Sequence, residues 1–337
     1  MSAPVDFQLT DDQTVLKRGI RDVLEGRFGR DALRAAVDAA DAADAADAAD
    51  AAGSVDNDAA VDARRAPRLD RELWRALGDA GFFSLCVPEG AGGVGLGLPE
   101  AVLAFEEAGR VLLPGPAVAT FLAAGEVAGA ASGEVVVTAV DGGLVPWLAE
   151  ADVVRGDAAG AVAVRSVDPL TPLHRVPDGP QAPTGAAHVS RATHASRASH
   201  VSHASHASLL VAAEQLGSAT RTCEAAVQYA QDREQFGGPV GRFQAVQHLC
   251  ADMLVRAELA RVAVYAAAVT QDPLEAAGAK LLADDAAVRN ARDCLQAHGG
   301  MGFTWESDVH LHLKRAWVRA GLGHTAARAE EELAAAL

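Results

Sequence analysis

Aromatic residues are scarce in this chain: nine Phe, four Trp and two Tyr among 337 residues. A core with so few large flat side chains must be closed by small ones, and alanine, the strongest helix former and a poor strand former, is abundant throughout. Cysteine is rare too. Cys86, Cys223, Cys250 and Cys294 stand far apart with no CxxC spacing, which speaks against a disulfide framework and for buried free thiols in a reducing compartment. Positive charge is in deficit, with 29 Lys and Arg against 45 Asp and Glu and a net charge of −16. That balance excludes a general binder of nucleic acid or anionic membrane and still permits a local basic site for a phosphate-bearing ligand. No apolar run reaches the roughly 20 residues of a membrane span. The first residues, with Asp6, Asp11 and Asp12, lack the basic start and apolar run of a signal peptide. The expectation is a soluble cytoplasmic protein with no membrane span.

Half of the residues are hydrophobic, enough for a large core, and the length fits two or three domains. Thr10 followed by Gln13 forms a capping-box signature, and Val15, Ile20, Val23, Leu24 and Phe28 supply one helix face behind it. Asp38, Asp41, Asp44, Asp47 and Asp50 are each followed by Ala-Ala. A period of three drifts around a helix of 3.6 residues per turn and makes no apolar stripe, so an exposed, weakly helical or disordered insertion is expected. Residues 70–82 read as a helix with Leu73, Trp74, Leu77 and Ala80 on one face, and 99–112 as another that opens at Pro99 and ends before Pro114. Short β-prone runs follow: Val135–Val137, Val153–Val154 and Ala161–Val164. The Ser, Ala and His tract 183–208 carries His188, His194, His200, His203 and His206. Such a composition can bind metal, but nothing in it fixes a ligand geometry; it reads as a flexible linker and no metal site is expected. From Leu209 onward the pattern is helical. Leu209, Ala213, Leu216, Thr220, Cys223, Val227 and Ala230 step by four and three, as do Val246, Leu249, Cys250, Met253, Ala257, Ala260 and Val264. A third helix opens at Pro273. Long amphipathic helices with brief connections imply an antiparallel bundle.

Three stretches carry chemistry. Gly90-Ala-Gly92-Gly-Val-Gly95 matches the dinucleotide fingerprint GxGxxG, which would make a nicotinamide-dependent dehydrogenase. That reading also needs a strand before the glycines and a second strand with a terminal acid after the helix. The second stretch, Arg233-Glu-Gln-Phe236-Gly237-Gly-Pro239-Val-Gly-Arg-Phe243-Gln244, joins two long helices and places a cation at a helix end. In the third, Gln296-Ala-His298-Gly299-Gly300-Met-Gly302, glycines expose backbone N–H groups to which a phosphate or a flat ring can come close.

The second and third stretches together resemble the acyl-CoA dehydrogenase family of flavoproteins. Four more segments agree: Phe7–Gln13 at the opening, Leu73–Gly81 with Val87-Pro88-Glu89 through Gly95, Phe105–Arg110, and Val309–Ala316. The resemblance covers about 1–125 and 208–325. It implies a mainly α fold with a small β domain: an N-terminal helical domain over 1–130 with a low-complexity insertion at 38–66, a reduced β domain over 131–182, a His/Ser/Ala linker over 183–208, and a C-terminal four-helix bundle over 209–337. It also implies FAD as cofactor, an acyl-CoA thioester as substrate, an electron-transfer flavoprotein or a similar acceptor as redox partner, and a homo- or hetero-oligomer in which FAD lies between subunits. By motif match, Arg233 would pair with the FAD pyrophosphate of a neighbouring subunit. Gln235, Phe236, Phe243 and Gln244 would border the cofactor, Gln296, Gly299 and Gly300 would line its adenosine-diphosphate side, and Thr325 would fall near the flavin.

The chain departs from the family where a carboxylate should take the substrate α-proton. One family position corresponds to Gly323 in the run Gly321–Thr325. The other, about 26 residues before the arginine, falls on Ala207. Glu214, two helical turns further on, and His324 are the remaining candidates for the base. The family's middle-domain Thr-Glu-Pro…Gly-Ser motif, which the resemblance implies would cradle the flavin ring, is represented only by Val137-Thr138-Ala-Val-Asp-Gly142-Gly143. The resemblance therefore leaves two readings open: an active FAD-dependent dehydrogenase, or a catalytically weak partner subunit that completes the FAD site of a hetero-oligomer.

Overall fold

The computed structural model describes residues 8–53, 69–177 and 194–336, with side chains described at 8–42, 69–177 and 203–336. Helix α1 (Asp11–Arg27) starts at the expected capping box: the Thr10 hydroxyl accepts the Gln13 N–H at 3.2 Å, and Gln13 Oε1 accepts the Thr10 N–H at 3.0 Å. Helix α2 (Arg30–Gly53) runs into the Asp-Ala-Ala array. Val37 and Ala40 are buried, so the array is not wholly exposed at its start. Helix α3 (Arg71–Asp79) is capped by Asp70, whose carboxylate accepts the N–H groups of Glu72 and Leu73; it buries Leu73, Trp74 and Leu77 as its periodicity predicts, but it ends earlier than expected and leaves Ala80, its C-cap, exposed. Helix α4 (Leu98–Arg110) is buried along almost its whole length. Helix α5 (Ala117–Ala123) leads into the β region.

The glycines of 90–95 lie between α3 and α4 in a single 3₁₀ turn and loop. Among the described residues no strand precedes Val137. The nicotinamide reading of Gly90–Gly95 is thereby overturned, because its βαβ frame is missing.

The small β region holds β1 (Val137–Ala139), β2 (Leu144–Pro146), β3 (Val153–Arg155), β4 (Val162–Val164) and β5 (Leu173–Arg175). Strands β1 and β3 pair in parallel, and β5 lies antiparallel between β2 and β4. Between β1 and β2 the chain turns tightly: Asp141 and Leu144 exchange both backbone hydrogen bonds at 2.8 Å across Gly142 (φ 55°) and Gly143 (φ 79°). Two successive positive φ values are the requirement of a two-residue hairpin turn, which glycine meets without strain.

The bundle comprises α6 (His194–Asp232), α7 (Gln244–Thr270), α8 (Pro273–His298), α9 (Val309–Ala320) and α10 (Ala326–Ala335). Helix α6 begins at His194, inside the tract expected as a linker. Ser208 is buried there, so the end of the tract is packed in spite of a composition with no apolar stripe of its own. Residues 183–193 lie outside the described residues. Cys223 and Cys294 are buried free thiols, and Cys86 and Cys250 are half-buried.

The N-terminal domain meets the bundle where α4 crosses α6. A Cβ added to Gly109 would stand 2.0 Å from the Glu214 carbonyl oxygen, and one added to Gly217 would stand 1.9 Å from the Glu106 carbonyl oxygen. The two backbones touch through reciprocal glycines. Charge reinforces the contact. Buried Glu106 on α4 accepts Lys17 of α1 at 2.6 Å and the Tyr265 hydroxyl of α7 at 2.7 Å, and it pairs with Arg261 of α7.

Candidate functional site

Two cavities collect the residues singled out from the sequence. The first, about 710 Å³, lies where α6 gives way to α7, beside the end of α8. Helix α6 stops at Asp232, and a minimal hairpin of β6 (Glu234–Gln235) and β7 (Gly238–Pro239) turns the chain through Phe236 (φ 55°) and Gly237 (φ 85°). A bulky residue at positive φ is strained, and the turn leaves the Phe236 ring 81% exposed, edge-on to Phe243 with centroids 5.9 Å apart. On the opposite wall α8 ends at Gly299, whose φ of 59° and ψ of −139° suit glycine. No atom lies within 4 Å of where a Cβ would stand on Gly299 or Gly300, so their backbone is open to a ligand. Tyr229 stacks on His298 with centroids 4.1 Å apart.

This cavity brings together Arg233, Gln235, Phe236, Phe243, Gln296, Gly299 and Gly300, seven residues from three separated segments. Gln244 and Thr325 do not line it: Gln244 is the first residue of α7, and Thr325 is the N-cap of α10. Arg233 is exposed, and among the described residues no carboxylate pairs with its guanidinium. An uncommitted guanidinium, open glycine backbone and flat rings together make a donor set suited to the pyrophosphate and rings of a dinucleotide. FAD fits that set.

The second cavity, about 750 Å³, lies between the β region, α5, α6 and α9. Both family positions for the base, Ala207 and Gly323, line it, together with Glu214. Neither Ala207 nor Gly323 carries a carboxylate, but the cavity has others. Glu214 is buried and its Oε1 lies 2.8 Å from Arg319 Nη2. Burial pushes the Glu214 carboxyl up, against the pull of Arg319 and Arg315, and burial brings Arg319 down to about 10. Glu126, at the rim, pairs with Arg155 and lies 3.5 Å from His203 Nε2. Asp141 also lines the cavity; its Oδ2 accepts the N–H of Gly323. Burial pushes the Asp141 carboxyl up, opposed by that amide and by the Lys280 charge. His324 does not line the cavity; its Nε2 faces Glu332 Oε2 at 2.7 Å.

Sequence reasoning did not single out Asp141 or the strained Phe236 turn. The signal for Asp141 was present, because Asp-Gly-Gly between β-prone runs is a hairpin turn. The signal for Phe236 was absent, because its backbone angle runs against its residue type.

The family model described as acyl-CoA dehydrogenase, C-terminal domain, matches residues 200–327, and the one described as acyl-CoA dehydrogenase, N-terminal domain, matches 27–135. The acyl-CoA dehydrogenase IpdE2 of Mycobacterium tuberculosis is 36% identical over 271 residues, covering 77% of this chain and 85% of the relative. Acyl-CoA dehydrogenase FadE34 of the same organism is 38% identical over 279 residues, covering 73% of this chain and 39% of that longer protein. Among solved structures, the ChsE4-ChsE5 complex from M. tuberculosis shares the fold with a TM-score of 0.74 at 22% identity, over 98% of each chain.

Proposed function

The chain belongs to the acyl-CoA dehydrogenase family, and from that membership we propose that it oxidises an acyl-CoA thioester between Cα and Cβ, with Arg233 and the Gly299–Gly300 backbone holding FAD. The observation that carries the assignment of residues is the convergence of seven motif residues on one 710 Å³ cavity. FAD supplies a two-electron acceptor for the hydride that leaves Cβ. The protein supplies the rest. The Arg233 guanidinium offers charge-assisted hydrogen bonds to pyrophosphate oxygens, the backbone at Gly299 and Gly300, open where a Cβ would stand, lets a phosphate or a flat ring come close although the Gly299 N–H itself donates to the Gln296 carbonyl, and Phe236 and Phe243 offer ring faces. The 750 Å³ cavity, walled by Trp147, Leu122 and Val318 on its apolar side and by Glu214, Arg319 and Asp141 on its polar side, excludes water from an acyl chain and presents carboxylates to it. The partners of this reading are an acyl-CoA thioester, an electron-transfer flavoprotein or a similar acceptor, and a second, related subunit.

A second reading, a partner subunit that completes another subunit's FAD site, is favoured by one observation. Arg233 and Phe236 stand exposed on this chain, where a neighbour can use them. Native mass spectrometry of the protein purified with its genomic neighbours separates a homo-oligomer from a mixed one. The functional reading itself is tested by flavin absorbance of the purified protein and of Arg233→Ala. Each charge-assisted bond is worth about 1.5–3 kcal/mol, so the variant should lose bound FAD on gel filtration. An Arg233→Ala protein that retains a full flavin complement would remove Arg233 from the site.

A further inference from the structure

We infer that the carboxylate that takes the substrate α-proton comes from Asp141 at the β1–β2 hairpin tip, presented to the cavity at the glycine that stands at a family base position. The inference rests on the functional reading above and adds a residue that the family motifs do not supply.

Three carboxylates line the 750 Å³ cavity, and their partners separate them. Glu126 sits at the rim and is paired with Arg155. Glu214 is committed to Arg319 at 2.8 Å, and a proton placed on it would break a buried ion pair. Asp141 is held differently: Oδ2 accepts one neutral backbone N–H, that of Gly323, and Oδ1 remains for the reaction. The carboxylate also stands beside that family position, because a Cβ added to Gly323 would lie in van der Waals contact with Asp141 Oδ2 and with the Ser208 hydroxyl, 3.7 Å from each. The group is rigidly mounted. Asp141 and Leu144 close the hairpin with two backbone hydrogen bonds, and Thr138 of β1 donates its hydroxyl to the Pro146 carbonyl of β2. A base on a fixed element, anchored by one oxygen, satisfies the positional demand of proton abstraction. Its burial raises its basicity.

In the step, the Cα–H bond breaks and an O–H bond forms on Asp141 Oδ1. The electron pair stays on the thioester as an enolate. In D₂O the reverse step returns deuterium to Cα, so the exchange is visible without turnover. The experiment uses the flavin-loaded protein with butyryl-CoA and octanoyl-CoA in D₂O and reads Cα deuteration by mass spectrometry. Asp141→Asn keeps an acceptor for Gly323 and removes the base. Exchange should fall by about 10²- to 10⁴-fold with flavin content unchanged; exchange at the wild-type rate overturns the inference. A second measurement needs no variant. With 2-bromobutyryl-CoA, the reacting carboxylate displaces bromide and forms an ester at Cα. An adduct mapped to Asp141 supports the inference, and an adduct on Glu214, or none on Asp141, overturns it. Wild-type protein that binds neither FAD nor the CoA esters overturns the functional reading instead.

Discussion

Glu106 shows how much a single side chain holds in this molecule. Burial alone would raise its carboxyl; Lys17 and Arg261, aided by the Tyr265 hydroxyl, outweigh burial and hold it below the ordinary carboxylate range. A folded-state pKa below the unfolded value means that the stabilisation is fully present above the unfolded pKa of about 4.3 and is lost as pH falls through the folded pKa. Acid should therefore unfold the wild type through this residue. Glu106→Gln should cost about 1–3 kcal/mol at pH 7, because half-buried Lys17 and Arg261 lose their shortest charged partner and keep only Glu107 at 3.9 Å and Glu258 at 3.2 Å. It should also flatten the slope of stability against pH below about 4.5. Urea titrations of both proteins at pH 7 and pH 4 check this: parallel losses in the two proteins would mean that Glu106 is not the titrating group. Residues of this kind were invisible to pattern reading. Phe105-Glu106-Glu107 is legible as a motif, but the cations that give Glu106 its role lie 89 and 155 residues away in sequence.

Helices and their contacts were the most legible level. The steps of four and three in 209–230 and 246–264 placed Leu209, Ala213, Leu216 and Ala260 in the core, where the structure has them. The capping box at Thr10 and the proline at position 99 marked helix starts. What failed to show was a helix without a stripe: α6 begins at His194 in Ser/Ala/His sequence that offers no apolar periodicity to read. The site was half legible for the same reason. Local turns and glycines of the dinucleotide cavity can be read from motifs, whereas Asp141 reaches Gly323 across 182 residues. The glycine crossing of α4 and α6 gives the prediction that belongs to this scale. Gly109→Ala would set a methyl 2.0 Å from the Glu214 carbonyl, so the helices must part. Overpacking of this sort costs about 1–3 kcal/mol. Differential scanning calorimetry should record a lower melting temperature for Gly109→Ala, and an unchanged one would mean that the backbones do not touch.

At the scale of the whole molecule, Arg315 of α9 joins all three regions. It pairs with buried Asp168 of the β region and donates to the Leu113 carbonyl of the N-terminal domain at 3.0 Å and to the Leu170 carbonyl at 3.3 Å. Arg315→Met should destabilise the fold by about 3–5 kcal/mol, since it leaves Asp168 buried and unpaired. Adding Asp168→Asn should recover part of that loss. A double-mutant cycle read by urea unfolding measures the coupling, and strictly additive effects would refute the clamp. Asp168 and Arg315 lie 147 residues apart in sequence, and no local pattern marks them as a pair. The reciprocal glycines have a further consequence. A catalytic residue is exposed as indispensable only by an assay of catalysis, whereas Gly109 and Gly217 stand where every other amino acid places a carbon inside a neighbouring backbone. In a saturation library sorted for soluble expression alone, with no substrate and no flavin supplied, those two positions should be nearly fixed as glycine, while Ala207, the cavity position on α6 left without a carboxylate, should tolerate a wider alphabet.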